Sequence, residues 1–180
     1  MMKIETNRLV IRHFVDKDAP GLFDYLSSPR VSCFMDEKLH SLDEAIIEVK
    51  KRSNDETQFA VCLKETDEII GDLFAENSDK EDCCTYGVGW HFNKKYEGKG
   101  YARESAAAFF DFLFNRKKAR RIYAYVEDNN IRSQKLCQSL TMRQEAYFME
   151  FVCFKPDLND DEEKYENTYV YAILKKEWHK

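Results

Sequence analysis

A chain of 180 residues with 43% hydrophobic and 34% charged residues is long enough to close one globular core, and nothing in it reads as an interdomain linker, so residues 1–180 are expected to form a single domain. A net charge of −5 argues against general nucleic-acid binding. The start lacks an apolar leader and no apolar run is long enough to span a bilayer, which predicts a cytoplasmic protein with no membrane partner. The six cysteines read as reduced thiols. Neither Cys83-Cys84 near His91 nor the scattered His13, His40 and His179 has a zinc spacing, so no metal is expected.

In chain order, residues 8–14 are a β-branched, partly alternating run that predicts a strand. Asp16-Lys-Asp18 and the apolar positions Ala19, Leu22, Phe23 and Leu26 then predict a cap and a helix. Ser41 and Glu44 have capping-box spacing ahead of Leu42, Ala45, Ile46 and Val49, a second helix. Residues 59–64 and 68–74 flank the turn Thr66-Asp67, and 86–92 add a third strand, which predicts an antiparallel meander. A helix follows from Ala102, with apolar positions 102, 106, 109, 110 and 113, and ends at the basic run 116–121, read as a solvated helix end. Residues 121–127 alternate as a strand parallel to 86–92. Asp128-Asn-Asn130 caps a short helix through Leu140, and strands 142–154 and 165–174 close the chain.

Between the strand at 86–92 and the helix from Ala102 lies Glu97-Gly-Lys-Gly-Tyr-Ala102. Glycines at 98 and 100 let backbone amides approach an anion at a helix start, a layout that suits a pyrophosphate. A dinucleotide loop requires a third glycine where Arg103 stands, and a P-loop requires Ser or Thr after Gly-Lys, where Gly100 stands. Both nucleotide readings fail on spacing.

The segment is similar to the acyl-CoA loop of the GNAT acetyltransferases, Gln/Arg-x-x-Gly-x-Gly/Ala, with Gly100 and Ala102 in register and Glu97 departing at the first position. Glu5-Thr-Asn-Arg-Leu-Val-Ile-Arg12 resembles the opening of the RimJ/RimL-like branch, the ribosomal-protein N-acetyltransferases. Asn130-Ile-Arg-Ser133 resembles that branch's Asn-x-x-Ser segment, with Thr141-Met142 where Gly-Phe is usual, and Tyr169 to Trp178 is similar to its closing strand. The resemblance covers residues 5 to 178. It implies an α/β fold with a mixed, mostly antiparallel twisted sheet, helices on both faces, and fourth and fifth strands (86–92 and 121–127) that splay beside the cofactor. A homodimer is also implied.

The activity implied is acetyl transfer from acetyl-CoA to a primary amine by direct attack. Backbone amides from Gly98 through Lys99, Gly100, Tyr101 and Ala102 to Arg103 are the expected pyrophosphate cradle, with Lys94, Lys95, Lys99 and Arg103 as side-chain help. Trp90, His91 and Phe92 are expected to present backbone to the pantetheine, the side chains of Trp90 and Phe92 otherwise reading as core. Asn130 reads as a helix cap from the residues alone and as a CoA ligand from the resemblance. Ser133 reads as a first-turn polar residue or, by resemblance, as the donor to the departing sulfur. Cys137 stands where many relatives carry a tyrosine acid and reads as core.

The attacking amine must be neutral, so a base is needed. Glu150, within Tyr147-Phe-Met-Glu-Phe-Val152, is the first candidate if burial raises its carboxyl, and an exposed strand residue otherwise; His91 acting through a water is the second. Tyr147, Phe148, Phe151 and Phe154 with the acidic stretch 157–163 suggest an acceptor side suited to a cation. A peptide N-terminal α-amine is the acceptor the branch implies. The alternatives are a small-molecule amine such as a polyamine or aminoglycoside, or a non-catalytic acyl-CoA sensor.

Overall fold

The computed structural model describes residues 2–77, 84–153 and 165–178. Eight strands form one sheet in the order β1-β2-β3-β4-β5-β6-β8-β7, with β1 at Lys3–Glu5, β2 at Leu9–Arg12, β3 at Gln58–Leu63, β4 at Ile69–Asn77, β5 at Thr85–Phe92, β6 at Arg121–Glu127, β7 at Arg143–Cys153 and β8 at Tyr165–Leu174. Neighbours run antiparallel except β5 and β6, the parallel pair predicted. The short β1 was not foreseen, because Lys3–Glu5 carries a single apolar residue.

Helices α1 (Ala19–Leu26), α2 (Leu42–Ser53), α3 (Tyr101–Asn115) and α4 (Ile131–Ser139) are cut from the patterned segments. The Ser41 side chain accepts from the Glu44 amide, while the Glu44 carboxylate reaches past Ser41 to the His40 amide at 2.7 Å. Half of the capping box forms; its second bond shifts by one residue. On α3 the buried row is Ala106, Phe109, Phe110, Leu113 and Phe114, packed with Leu9, Ile11, Leu73 and Ile122 from the sheet. A second core joins Phe14, Leu22 and Leu26 to Val49, Ala60 and Ile69 beneath α1 and α2. Helices therefore cover both faces.

The basic run 116–121 fills the turn after α3, where Lys118 takes a positive φ of 61°, and its last residue, Arg121, opens β6. Thr141 takes φ 59° at the place where the resemblance has glycine, and Met142 is buried behind it, so the turn into β7 keeps the left-handed step at the cost of a β-branched residue. No helix among the described residues is long and apolar enough to cross a membrane. Cys83, Phe154, the acidic stretch 157–163 and His179 lie outside the described residues.

Candidate acyl-CoA and acceptor site

β5 pairs with β4 along the run from Tyr86 to Phe92, but with β6 only through Thr85, Gly87 and the residue between them. From Val88 onward β5 and β6 separate, so the strand carrying Trp90, His91 and Phe92 faces a gap instead of a ladder partner. A cleft of about 1130 Å³ opens there, lined by Trp90 and Phe92 on one wall and by Asn130, Ser133 and Leu136 of α4 on the other. Unpaired strand backbone in a cleft is a binding edge for an extended ligand with amide groups.

At one end the cleft meets the glycine loop. Gly98 and Gly100 have φ of 75° and 78°, and a side chain at Gly98 would meet no atom within 4 Å, so it is conformation, not crowding, that calls for glycine. Gly100 is the N-cap of α3 and offers no side chain to its first-turn amides, which leaves them for an anion. The carboxylate of that turn, Glu104, is engaged by the Thr6 hydroxyl at 2.6 Å and by the Arg8 amide and guanidinium. Glu97, the departure in the motif, takes Arg30 at 2.8 Å and Arg132, tying the loop to the α1–α2 connection and to α4. Lys95 is held by Asp24 at 2.6 Å, whereas Lys99 lies over the Tyr96 ring. Gly100→Val is expected to strain the left-handed step by about 1–2 kcal/mol. Acetyl-CoA affinity, read by calorimetry, should fall about tenfold or more.

Asn130 caps α4 by accepting from the Ser133 amide at 3.2 Å, as the residues alone indicated. Across the gap, the Trp90 indole N–H donates to the Ser133 hydroxyl at 3.1 Å. A hydroxyl that accepts from an indole has its own hydrogen free to donate, and it sits at the positive end of α4. Cys137 is fully buried, as read.

His91 is 7% exposed, and it stands directly opposite Asp72 in the β4–β5 register. Its Nδ1 lies 3.1 Å from the Asp72 carboxylate, which also accepts from Tyr25 Oη at 2.7 Å and faces Arg52 at 3.4 Å. Burial pushes the Asp72 carboxyl up, and His91, Arg52 and Tyr25 together outweigh it, holding the group below the usual carboxylate range. With Asp72 ionised, the Nδ1 hydrogen belongs on the bond between them, and in the neutral imidazole it is Nε2 that carries the lone pair. That Nε2 is buried without a partner on the cleft wall, beside Phe34.

Glu150 departs from its expected environment. It is exposed, has φ 48°, and sits in the irregularity between Phe148 and Val152 where β7 slips against β8; it is not among the residues lining the cleft. The reason is that β7 is the edge strand, so its apolar side chains are not a sign of burial. The aromatic run also divides. Phe148 and Phe151 stack on the sheet face that carries Tyr125, while Tyr147 packs on Tyr169 of the other face.

Two buried carboxylates that sequence reasoning passed over do not line the cleft but lie near it, the Glu127 carbonyl accepting from the Asn130 amide of the α4 cap at 3.0 Å. Glu127 and Glu166 are 7% and 6% exposed. Burial first, with the charge of Glu166 adding to it, raises the Glu127 carboxyl above its ordinary value against the pull of its own backbone amide and of the nearby Cys33 and Asn130. The Ser32 hydroxyl donates to Glu166 at 2.6 Å. A signal was available in Glu127: a carboxylate ends an otherwise apolar and aromatic strand.

Comparison with known proteins follows the geometry. The model for the acetyltransferase (GNAT) domain matches residues 8–143. An uncharacterized N-acetyltransferase of Bacillus subtilis, YnaD, is 33% identical over 98% of this chain and 99% of its own length. The crystal structure of a GNAT-family acetyltransferase from Bacillus anthracis superposes with a TM-score of 0.85 at 31% identity, covering 98% of this chain and all of that one. The ribosomal-protein-S5-alanine acetyltransferase of Vibrio fischeri shares the fold at 18% identity, with a TM-score of 0.71 over the full length of both chains.

Proposed function

The chain belongs to the GNAT N-acetyltransferases, an acyltransferase family that uses acetyl-CoA, and on that premise we propose that its acceptor is the α-amine of a peptide or protein N-terminus, as in the RimJ/RimL-like branch. The proposal is carried by one observation, that the Ser133 hydroxyl held by Trp90 and the residue with the unpartnered Nε2, His91, line the same cleft. The branch is supported by the motifs at Glu5–Arg12 and Asn130–Ser133.

The residues divide the work. Amides from Gly98 to Arg103 hold the pyrophosphate, and the freed edge of residues 88–92 pairs with the pantetheine. His91 Nε2 accepts a proton from the acceptor ammonium, directly or through a water, while Asp72 keeps the Nδ1 hydrogen in place. The neutral amine attacks the thioester carbonyl, the C–S bond breaks, and the departing thiolate takes the proton of Ser133, whose hydroxyl is restored by the second proton that the nitrogen sheds as it becomes the amide. Overall an ammonium and acetyl-CoA give an N-acetyl amide, CoA thiol and one proton.

The base favours an α-amine. An α-ammonium gives up its proton at about 7.7–8.0 and an alkyl ammonium at about 10.4, so the α-amine is neutralised at ~3–4 kcal/mol less cost. Release of CoA thiol should be measured with N-terminal peptides, polyamines and aminoglycosides in parallel. Acetylation confined to aminoglycosides would overturn the branch assignment, and acetyl-CoA binding without turnover of any amine would make the protein a sensor. Ser133→Ala is expected to lower kcat about tenfold to hundredfold with little change in the KM for acetyl-CoA.

A further inference from the structure

In the β6–β8–β7 register, Glu127 stands opposite Thr168, and Thr168 stands opposite Phe148. Glu166, two residues before Thr168 on the same strand, projects from the same face. Three polar side chains therefore meet on one face of the sheet, all buried. Thr168 is 1% exposed and its hydroxyl has no partner. Buried carboxylates are rarely placed side by side without a cation. Here the donors to Glu166 are neutral, the Ser32 hydroxyl and an Asn129 amide, and the side chains acting on Glu127 from nearby, Cys33 and Asn130, are neutral as well. Among the described residues no lysine or arginine pairs with either.

Resting on the acetyl transfer read above, we propose that Glu127, Glu166 and Thr168 seat a second cationic group of the acceptor, an ammonium or guanidinium set apart from the reacting amine. The site then selects amines that carry another positive charge: peptides with Lys or Arg next to the N-terminal residue, or free diamines. A reacting amine must be neutral when it attacks, so a buried anionic pair suits the cation that does not react. Position supports this. Phe34 lies on the His91 ring while Cys33, the residue before it, reaches Glu127, so one step of the same segment separates the base from the seat. Asn130, on the cleft wall, donates its backbone N–H to the Glu127 carbonyl at 3.0 Å, which ties the seat to the cleft. The stacked rings of Tyr125, Phe148 and Phe151 lie exposed on the seat's own sheet face, where a cation also finds aromatic faces. An entering cation replaces Ser32 as donor to Glu166.

The test compares kcat/KM for Ser-Lys with Ser-norleucine dipeptide amides, and for 1,3-diaminopropane with propylamine, in the wild type, Glu127→Gln, Glu166→Gln and Thr168→Val. The wild type is expected to prefer the dication by about tenfold to hundredfold. That preference should collapse toward unity in the two glutamine variants and fall about threefold in Thr168→Val, with acetyl-CoA affinity retained as the check on folding. The pair with the larger preference identifies the source of the cation. A wild type without preference, or a preference equal in all four proteins, overturns the seat. If no amine is turned over, calorimetric titration of the lysyl dipeptide amide and the diamine into CoA-loaded protein separates the two ideas. Binding that weakens in the glutamine variants upholds the seat while transfer fails, and absence of binding removes the seat as well.

Discussion

His91→Gln is expected to lower kcat/KM for the amine by about a hundredfold to ten-thousandfold, the range for loss of a positioned general base. The expectation rests on placement. Among the cleft-lining groups described, His91 combines a buried, unpartnered nitrogen with a carboxylate that fixes its tautomer. Glutamine fills much of the same volume and can still bond to Asp72, so the loss should be in kcat/KM for the amine and not in acetyl-CoA affinity. The pH profile separates this from mere misfolding. With the base gone, activity should follow only the ionisation of the amine itself and keep rising through about 7.7–8.0 for a peptide substrate. Glu150→Gln is the control, expected to stay within about twofold of wild type because that carboxylate is exposed at an edge strand and away from the cleft. A large loss in Glu150→Gln and none in His91→Gln would reverse the assignment of the base.

The elements that sequence reading placed well are those whose signals are local. Positive φ at Gly98 and Gly100 is a backbone requirement that shows as residue type, and Asn130 followed by Ser133 is a cap whose bond spans three residues. The parallel contact of β5 with β6 followed from a strand, a helix and a strand in sequence. What escaped depends on register. Asp72 and His91 are nineteen residues apart and meet only because β4 and β5 align them as partners. Glu127 and Thr168 meet through β6 and β8, with a helix and another strand between them in the chain. Glu150 takes the exposed one of its two readings for a related reason. An apolar run marks a strand, but the place of β7 at the sheet edge, which decides burial, is set by long-range pairing.

Asp72→Asn should be the most destabilising single change near the site, by about 3 kcal/mol at neutral pH, or a melting temperature lower by roughly 6–12 °C. Asp72 is fully buried and serves His91, Tyr25 and Arg52 at once, and Arg52 is itself 4% exposed. Asparagine keeps the shape and an acceptor oxygen but not the charge, so Arg52 is left to Glu37 and Glu48, and its Nη1 loses its ionic partner. The effect has a pH signature. Because the folded carboxyl is held below its ordinary range, its ionised form stabilises the fold fully above about 3.9, the unfolded value, and that contribution is lost as pH falls through the lower folded value. Urea midpoints should therefore differ most between wild type and variant at neutral pH and converge as the pH drops below about 4. The same variant is expected to lose activity at temperatures where it remains folded, because the hydrogen on His91 Nδ1 no longer has a charged acceptor to hold Nε2 as the base. Rescue of kcat by Asp72→Glu, even in part, would mark a charge effect on the imidazole. Midpoints that stay equally far apart at pH 3 and pH 7 would mean that packing around Asp72, and not its charge, is what the fold requires.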